Sequence, residues 1–355
     1  MSAVAARPDS LDAAVAAALA DPDLEERVAR DPGYAEELVA RAGALAANAF
    51  TGGDRARLDE AHRTLYLLYA QDAWSPVGAP RQNQHDPTMA AVLRALERGF
   101  EASLARHRLP EAPPEDPEAF CAWLSDLALE RELVPPTGMG DLLREAATLE
   151  QMREIVAQRS LFFLKEPDPW AMVVPSLRGE AKAGLLDLLM DEYGWGRYEH
   201  MHSTVYETLM RRLGLDTGFD AYLDRAAPEF LAVLNYQAML ARHRRLCRRM
   251  YGYIYLVEAD SPRSMENYLA AYRRLGVEDE DVLRFYELHV TADEGHQDVA
   301  LREVILPVVR EQPDAREDIA RGVLEGVHLH AGFSAHLASA FRAGRSSLRG
   351  AGALA

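Results

Sequence analysis

The sequence predicts an all-α protein: a bundle of about seven or eight antiparallel helices, preceded by a helical N-terminal extension. Three observations carry that expectation. Long segments repeat apolar residues at three- and four-residue spacing, as an amphipathic helix requires. No alternating Val/Ile/Thr segment bounded by turn residues marks a strand. The breaks between periodic segments are short and built from Pro and Gly, as in helical bundles.

Residues 1–135 hold several helices separated by proline-rich breaks, "SPVGAPRQNQHDP" (75–87) and "LPEAPPEDPEAF" (109–120), the second followed by "VPPTGMGD". From about Asp141 the helices become longer and more regular. We therefore expect an extension over 1–135 that covers the bundle or makes a homodimer, a main domain over 136–345, and a flexible tail over 346–355. Within the main domain a first helix runs over 141–165, with Leu142, Leu149, Met152 and Val156 on one side. "LKEPDPW" ends it, because closely spaced prolines cannot continue a helix. Further helices are expected over 180–193, 198–213 (closed by "GLDTG"), 227–241, 242–259, 263–274, 279–311 and 315–342.

Bulk properties exclude several classes. Hydrophobic residues make up 48% of the chain, ample for a core, yet no run approaches the roughly 18 apolar residues of a spanning helix. The stretch "LDAAVAAALADPD" lacks the basic flank of a signal peptide, so a cytoplasmic setting is expected. A formal net charge of -17 repels nucleic acid and anionic membrane, and neither is expected as a partner. Cys121 and Cys247 form no CxxC pair and support neither a disulfide framework nor a thiolate metal site.

The chemistry begins at "HVTADEGH" (289–296). Val282, Phe285 and Tyr286 form an apolar helical stripe whose next members are His289, Asp293 and His296; Ala300 and Val304 then resume it. At ~100° per residue these three side chains fall within roughly 60° of one another and share one volume. Buried without partners they would cost several kcal/mol, so they hold a metal ion, form a satisfied hydrogen-bonded network or make one solvated face. The same stripe test adds Glu192, after Leu185, Leu188 and Leu189, and Glu258, after Tyr251, Ile254 and Tyr255. Carboxylates mixed with imidazoles on separate helices suit iron or manganese, and two ions rather than one. One ambiguity stays open here. Glu199 and His202 form a Glu-x-x-His pair, whereas Glu192 is about 80° out of phase with His202 on a straight helix. Gly194 and Gly196 could restore that phase through a break.

The spacing from Glu192 to His202, Glu258, His289, Asp293 and His296 resembles the haem-oxygenase-like di-iron oxidases, and more narrowly the bacterial iron-containing redox enzymes. "FLKEPDPW", "DEYGWGRYEHMHS" and "FYELHVTADEGH" carry the resemblance over about 140–335. It continues more weakly into "RTLYLLYAQDAW" and "DPTMAAVLRALERGFE" (63–101). It implies a haem-oxygenase-like fold with Glu192, His202, Glu258, His289, Asp293 and His296 as ligands to two iron ions, and it leaves Glu199 as a surface or supporting residue. Glu166 of "LKEPDP" occupies the position of a further carboxylate in relatives that oxygenate amines, so it is both a seventh candidate ligand and the candidate catalytic residue.

The resemblance further implies O2 as co-substrate, an external electron donor and a small-molecule substrate, an amine or amino-acid-like compound oxygenated on nitrogen within a biosynthetic pathway. Oxidative C–C cleavage or desaturation on the same scaffold is the alternative, and a non-catalytic metal-binding bundle is a further one. The chain departs from related sequences after the central glutamate, reading "VEADSPRS" where they often carry "FEMTSS". Tyr251, Tyr253 and Tyr255 read as core packing with satisfied hydroxyls. His328, His330 and His336 read as surface, packing or supporting groups.

Overall fold

A computed structural model of the chain describes residues 10–72, 83–129, 133–350 and Leu354, apart from the side chains of 292–294. Helices dominate and no strand occurs among the described residues. Part of the expected break at 75–87 lies outside them, as do 351–353 and Ala355 of the expected tail. The chain divides into two compact units: Met1–Arg108 with Leu234–Met239, and Leu109–Val233 with Leu240–Ala355.

The first unit contains α1 (Leu11–Ala20), α2 (Leu24–Arg30), α3 (Pro32–Ala49), α4 (Arg55–Tyr69) and α5 (Pro87–Leu104). Asp31, Asp54 and Asp86 start α3, α4 and α5 by accepting hydrogen bonds from first-turn N–H groups, and Pro follows at N1 in α3 and α5. Every residue from Ala61 to Tyr69 on α4 is buried. Among them His62 packs edge-on against the stacked rings of Phe50 and Phe100 and lies 3.2 Å from the Asn235 amide nitrogen. Burial lowers its pKa to about 3.

The unfolded chain binds a proton at His62 below pH 6.5 while the folded one stays neutral down to about pH 3. Stability is therefore lost as pH falls through that window. Between pH 7 and pH 5 the residue should contribute a fall of about 2 kcal/mol in unfolding free energy. Denaturant titrations of the wild type and of His62→Gln at both pH values check this: the variant should lack that part of the slope. Equal slopes would contradict it.

The second unit contains α6 (Pro117–Leu129), α7 (Met139–Glu145), α8 (Leu149–Phe163), α9 (Asp168–Ala171), α10 (Gly179–Glu192), α11 (His202–Arg212), α12 (Pro228–Arg242, whose Leu234–Met239 belongs to the first unit), α13 (Cys247–Arg274), α14 (Glu280–Asp298), α15 (Leu306–Glu311) and α16 (Ala315–Arg342). The expected boundary near residue 135 thus falls inside this unit, because α6 packs on α13 and α16.

Three helix expectations change. The helix expected over 141–165 is two, α7 and α8. Thr148 and Gln151 form a capping box that starts α8 afresh. The pair expected at 242–259 and 263–274 is one helix, α13, with Pro262 inside it. A proline there has no N–H for the carbonyl of Glu258, four residues earlier. The helix expected over 279–311 widens into a π-helical segment, Val299–Ile305, between α14 and α15; such widening recurs at functional sites.

The expected flexible tail is tied down at Ser347. Its N–H and hydroxyl donate to Glu154 Oε2 at 2.7 and 2.8 Å, and its hydroxyl accepts from Gln158 at 3.0 Å. Its carbonyl lies 2.8 Å from His336 Nε2. Ser347 is 1% exposed, so these bonds are desolvated and hold the backbone in place.

The core sits where α13 crosses its neighbours α14, α16 and α7. Gly252 on α13 and Gly322 on α16 bring two backbones into direct contact, each glycine facing a main-chain carbonyl of the other helix. This close crossing sets where α13 presents its inward side chains.

Candidate metal centre

Five elements deliver the inward ionisable residues. Glu166 comes from the turn between α8 and α9, Glu192 from the last position of α10, and His202 from the first of α11. Glu258 sits midway along α13, and His289 and His296 lie on α14. All six are buried. Of Asp293 only the backbone within α14 is described, so its side chain lies outside the described residues.

The link from α10 to α11 answers the phase problem. Gly194, Trp195 and Gly196 have φ of 62°, 53° and 74°, three successive residues in the left-handed region. That reverses the chain within a few residues. At Gly194 a Cβ would lie 2.5 Å from the backbone of His200 and Met201, so only glycine fits. The reversal carries His202 back onto Glu192, with His202 Nδ1 2.9 Å from Glu192 Oε2. Glu199 is exposed on the short turn between them.

The six donors form two groups, Glu166–His202–His289 and Glu192–Glu258–His296, with ligand atoms in each lying within 4.8 Å of one another. Glu192 joins them. Its Oε2 faces His202 of the first group, and its Oε1 lies 3.8 Å from His296 Nδ1 of the second. His296 Nδ1 is also 3.3 Å from Glu258, and His289 Nε2 is 3.9 Å from Glu166.

The donor atoms fit a metal better than they fit each other. Glu192 Oε2 and His202 Nδ1 approach closely but lack hydrogen-bond geometry, and His289 Nε2 is buried with no hydrogen bond. Such atoms cost free energy unless something fills the space they face. The remaining nitrogens of two imidazoles are occupied from behind. His289 Nδ1 lies 2.7 Å from the Phe285 carbonyl and so carries the proton, which leaves a lone pair on Nε2. His296 Nε2 likewise donates to Asp191 Oδ2 at 2.9 Å, which turns Nδ1 toward the two glutamates. Backing of this kind orients and strengthens imidazole ligands. The Trp195 indole N–H in turn donates to Asp191 Oδ1 at 3.0 Å.

Electrostatics point the same way. Burial disfavours the ionised form of Glu192, but His202, His289 and His296 together outweigh it and hold the carboxyl below its ordinary pKa. Burial opposes charge on His202 as well; Glu192 overcomes it and raises the imidazole. An anionic carboxylate facing three imidazoles is a site ready to exchange protons for metal cations. Apolar rings close one side: Phe285 lies 4.3 Å and Phe163 6.0 Å from the His289 ring, and His202 and His289 are 4.7 Å apart.

Other expected residues lie outside the two groups. The three tyrosine hydroxyls are partnered, Tyr251 by Ser176, Tyr253 by His330 and Tyr255 by Ser125. His336 holds Ser347. Cys121 and Cys247 are both buried free thiols. Lys165, next to Glu166, pairs with Asp220 at 2.7 Å. Asp191 escaped the sequence reading, because one carboxylate beside another at a helix end carries no periodic signal.

A family described as "iron-containing redox enzyme" matches residues 153–331, half of the chain and the whole stretch from α8 into α16. The chain belongs to this family. It is therefore an iron-containing oxidoreductase of helical, haem-oxygenase-like fold. It is also similar to a nitrosourea synthase of Streptomyces achromogenes subsp. streptozoticus, at 28% identity over 167 residues. That similarity covers 46% of this chain and 35% of the relative, so the chain corresponds to about a third of that protein's length. No helix among the described residues is long and apolar enough to cross a membrane.

Proposed function

We propose that this chain binds two iron ions and uses O2 to oxygenate the nitrogen of a small amine or amino-acid-like substrate. One observation carries the reading. Two buried donor groups share Glu192, whose carboxylate turns one oxygen toward a histidine of each. Glu166, His202 and His289 would hold one ion, Glu258 and His296 the other, with Glu192 between them; Asp293, the remaining ligand that the resemblance implies, has its side chain outside the described residues. When bound, the ferrous pair supplies electrons and open coordination positions for O2.

The protein's own part is positional. The Phe285 carbonyl and Asp191 fix the imidazole tautomers, and Phe163, Phe285 and Tyr206 keep water from the His289 side. Glu166 adds negative charge where relatives that oxygenate amines carry an extra carboxylate. This favours oxygen transfer to nitrogen over hydrogen abstraction from carbon, the desaturation or C–C cleavage outcome. Atoms balance when the amine takes one oxygen atom and the other leaves as water, with two protons and two electrons from an external reductant. The similarity to a nitrosourea synthase supports the choice of nitrogen, since a nitrosourea carries oxygen on nitrogen.

Anaerobic titration with ferrous iron should load about two ions per chain. His289→Ala and His296→Ala should each lose at least one ion and abolish O2 uptake. Full loading of both variants would overturn the assignment.

A further inference from the structure

Arg159 is a deeply set guanidinium on α8 that makes no ion pair with an acid among the described residues. Its Cζ lies 5.8 Å from the ring centre of Phe163, 5.5 Å from Tyr268 and 5.9 Å from Phe333, so α8, α13 and α16 cage it with aromatic faces. Its Nε is buried without a hydrogen bond, yet the side chain as a whole keeps some accessible surface. Asp260, an acid whose charge reaches it, is ion-paired with Arg263 at 2.5 Å. Elsewhere in the unit an arginine set among helices has its acid: Arg249 and Arg321 both converge on buried Glu325.

Ring faces attract a cation but accept few of the five N–H donors of a guanidinium. A buried, incompletely bonded guanidinium costs free energy, and its planar fork matches a carboxylate with two parallel hydrogen bonds. Its place matters too. Arg159 stands about one helical turn before Phe163, and the Phe163 ring also packs against His289 and Phe285. One aromatic wall therefore runs from the guanidinium to the candidate iron ligands.

We propose that Arg159 anchors the carboxylate of the substrate, whose remainder lies along the Phe163 wall toward the metal centre. The substrate is then an amino acid, or another amine bearing a carboxylate, and not a simple amine. This inference rests on the proposed function for the identity of its ligand, but carboxylate binding can be measured without turnover.

Calorimetry under anaerobic conditions, with and without ferrous iron, would compare 6-aminohexanoate and L-lysine with their decarboxylated counterparts, pentylamine and cadaverine. Wild-type protein should bind at least one acid, and its amine counterpart roughly 10- to 100-fold more weakly. Arg159→Gln should weaken the acid to the level of its amine, and Arg159→Lys should recover part of the difference by restoring charge. Both variants should keep the wild-type helical spectrum and ferrous loading, which separates loss of the anchor from loss of the fold.

Acid binding unchanged in Arg159→Gln, or no acid bound by the wild type, overturns the proposal. Arg159-dependent acid binding in a protein that takes up no iron would sink the proposed function and leave the anchor standing. Iron loading and O2 uptake without Arg159-dependent binding would do the reverse.

Discussion

Glu192→Ala should strip iron from both positions, while Glu199→Ala leaves loading unchanged. The two oxygens of Glu192 face different donor groups, one 2.9 Å from His202 and the other 3.8 Å from His296, whereas Glu199 points to solvent. Losing a group that merely supports a ligand lowers metal affinity about 10- to 100-fold, so losing Glu192, if two ions share it as proposed, should cost more than roughly 100-fold at each. Glu192→Gln keeps the shape and removes the charge, and it should lose most of the same affinity. Anaerobic ferrous titration of the three variants, with circular dichroism to check the helices, reads the result. A larger loss from Glu199→Ala would show that the Gly194–Gly196 reversal does not position the chain as described.

Gly252→Ala and Gly322→Ala should each destabilise the second unit by about 3 kcal/mol, near the upper end for overpacking. A Cβ on Gly252 would lie 2.0 Å from the Ile319 carbonyl oxygen, and one on Gly322 would lie 2.0 Å from that of Arg249. Main-chain atoms cannot rotate aside, so α13 and α16 would have to separate by more than about 1 Å to restore van der Waals contact. Glu258 lies on α13 six residues beyond Gly252, so iron loading should weaken with the fold. Gly332 on α16 provides the control. It is exposed with nothing within 4 Å of a Cβ, and Gly332→Ala should raise stability by about 0.5–1 kcal/mol through helix propensity. Thermal unfolding of the three variants checks both signs; a neutral Gly252→Ala would contradict the close crossing.

Part of the site was open to a reading of residues alone. Helical periodicity is a local property, and ionisable residues that continue an apolar stripe betray themselves: His289, His296, Glu258 and Glu192 are all buried in the two donor groups. Glu199 against Glu192 could not be settled by periodicity, because the answer depends on three left-handed residues between helices. Asp191 and Arg159 left no periodic mark, since each matters only through a partner on another helix or the lack of one. The single helix expected over 141–165 and the looseness expected at Ser347 failed for related reasons. A capping box outranked a continuous apolar face at Thr148, and buried Glu154 captured Ser347.

By itself the sequence determined an all-α fold, two kinds of metal donor facing inward, and breaks at its prolines and glycines. Each of these follows from residue spacing within a turn or two of helix. Tertiary structure alone decided which donors meet and that Glu192 stands between two groups. It also decided that Asp191 backs His296 and that Arg159 Nε is buried without a hydrogen bond among the described residues. The physical reason is range. Spacing along one helix sets which face a side chain occupies, but each donor group is built from atoms within 4.8 Å of one another that come from three separate elements. Helix crossings such as Gly252–Gly322 set those distances, and their packing depends on residues far apart in the chain.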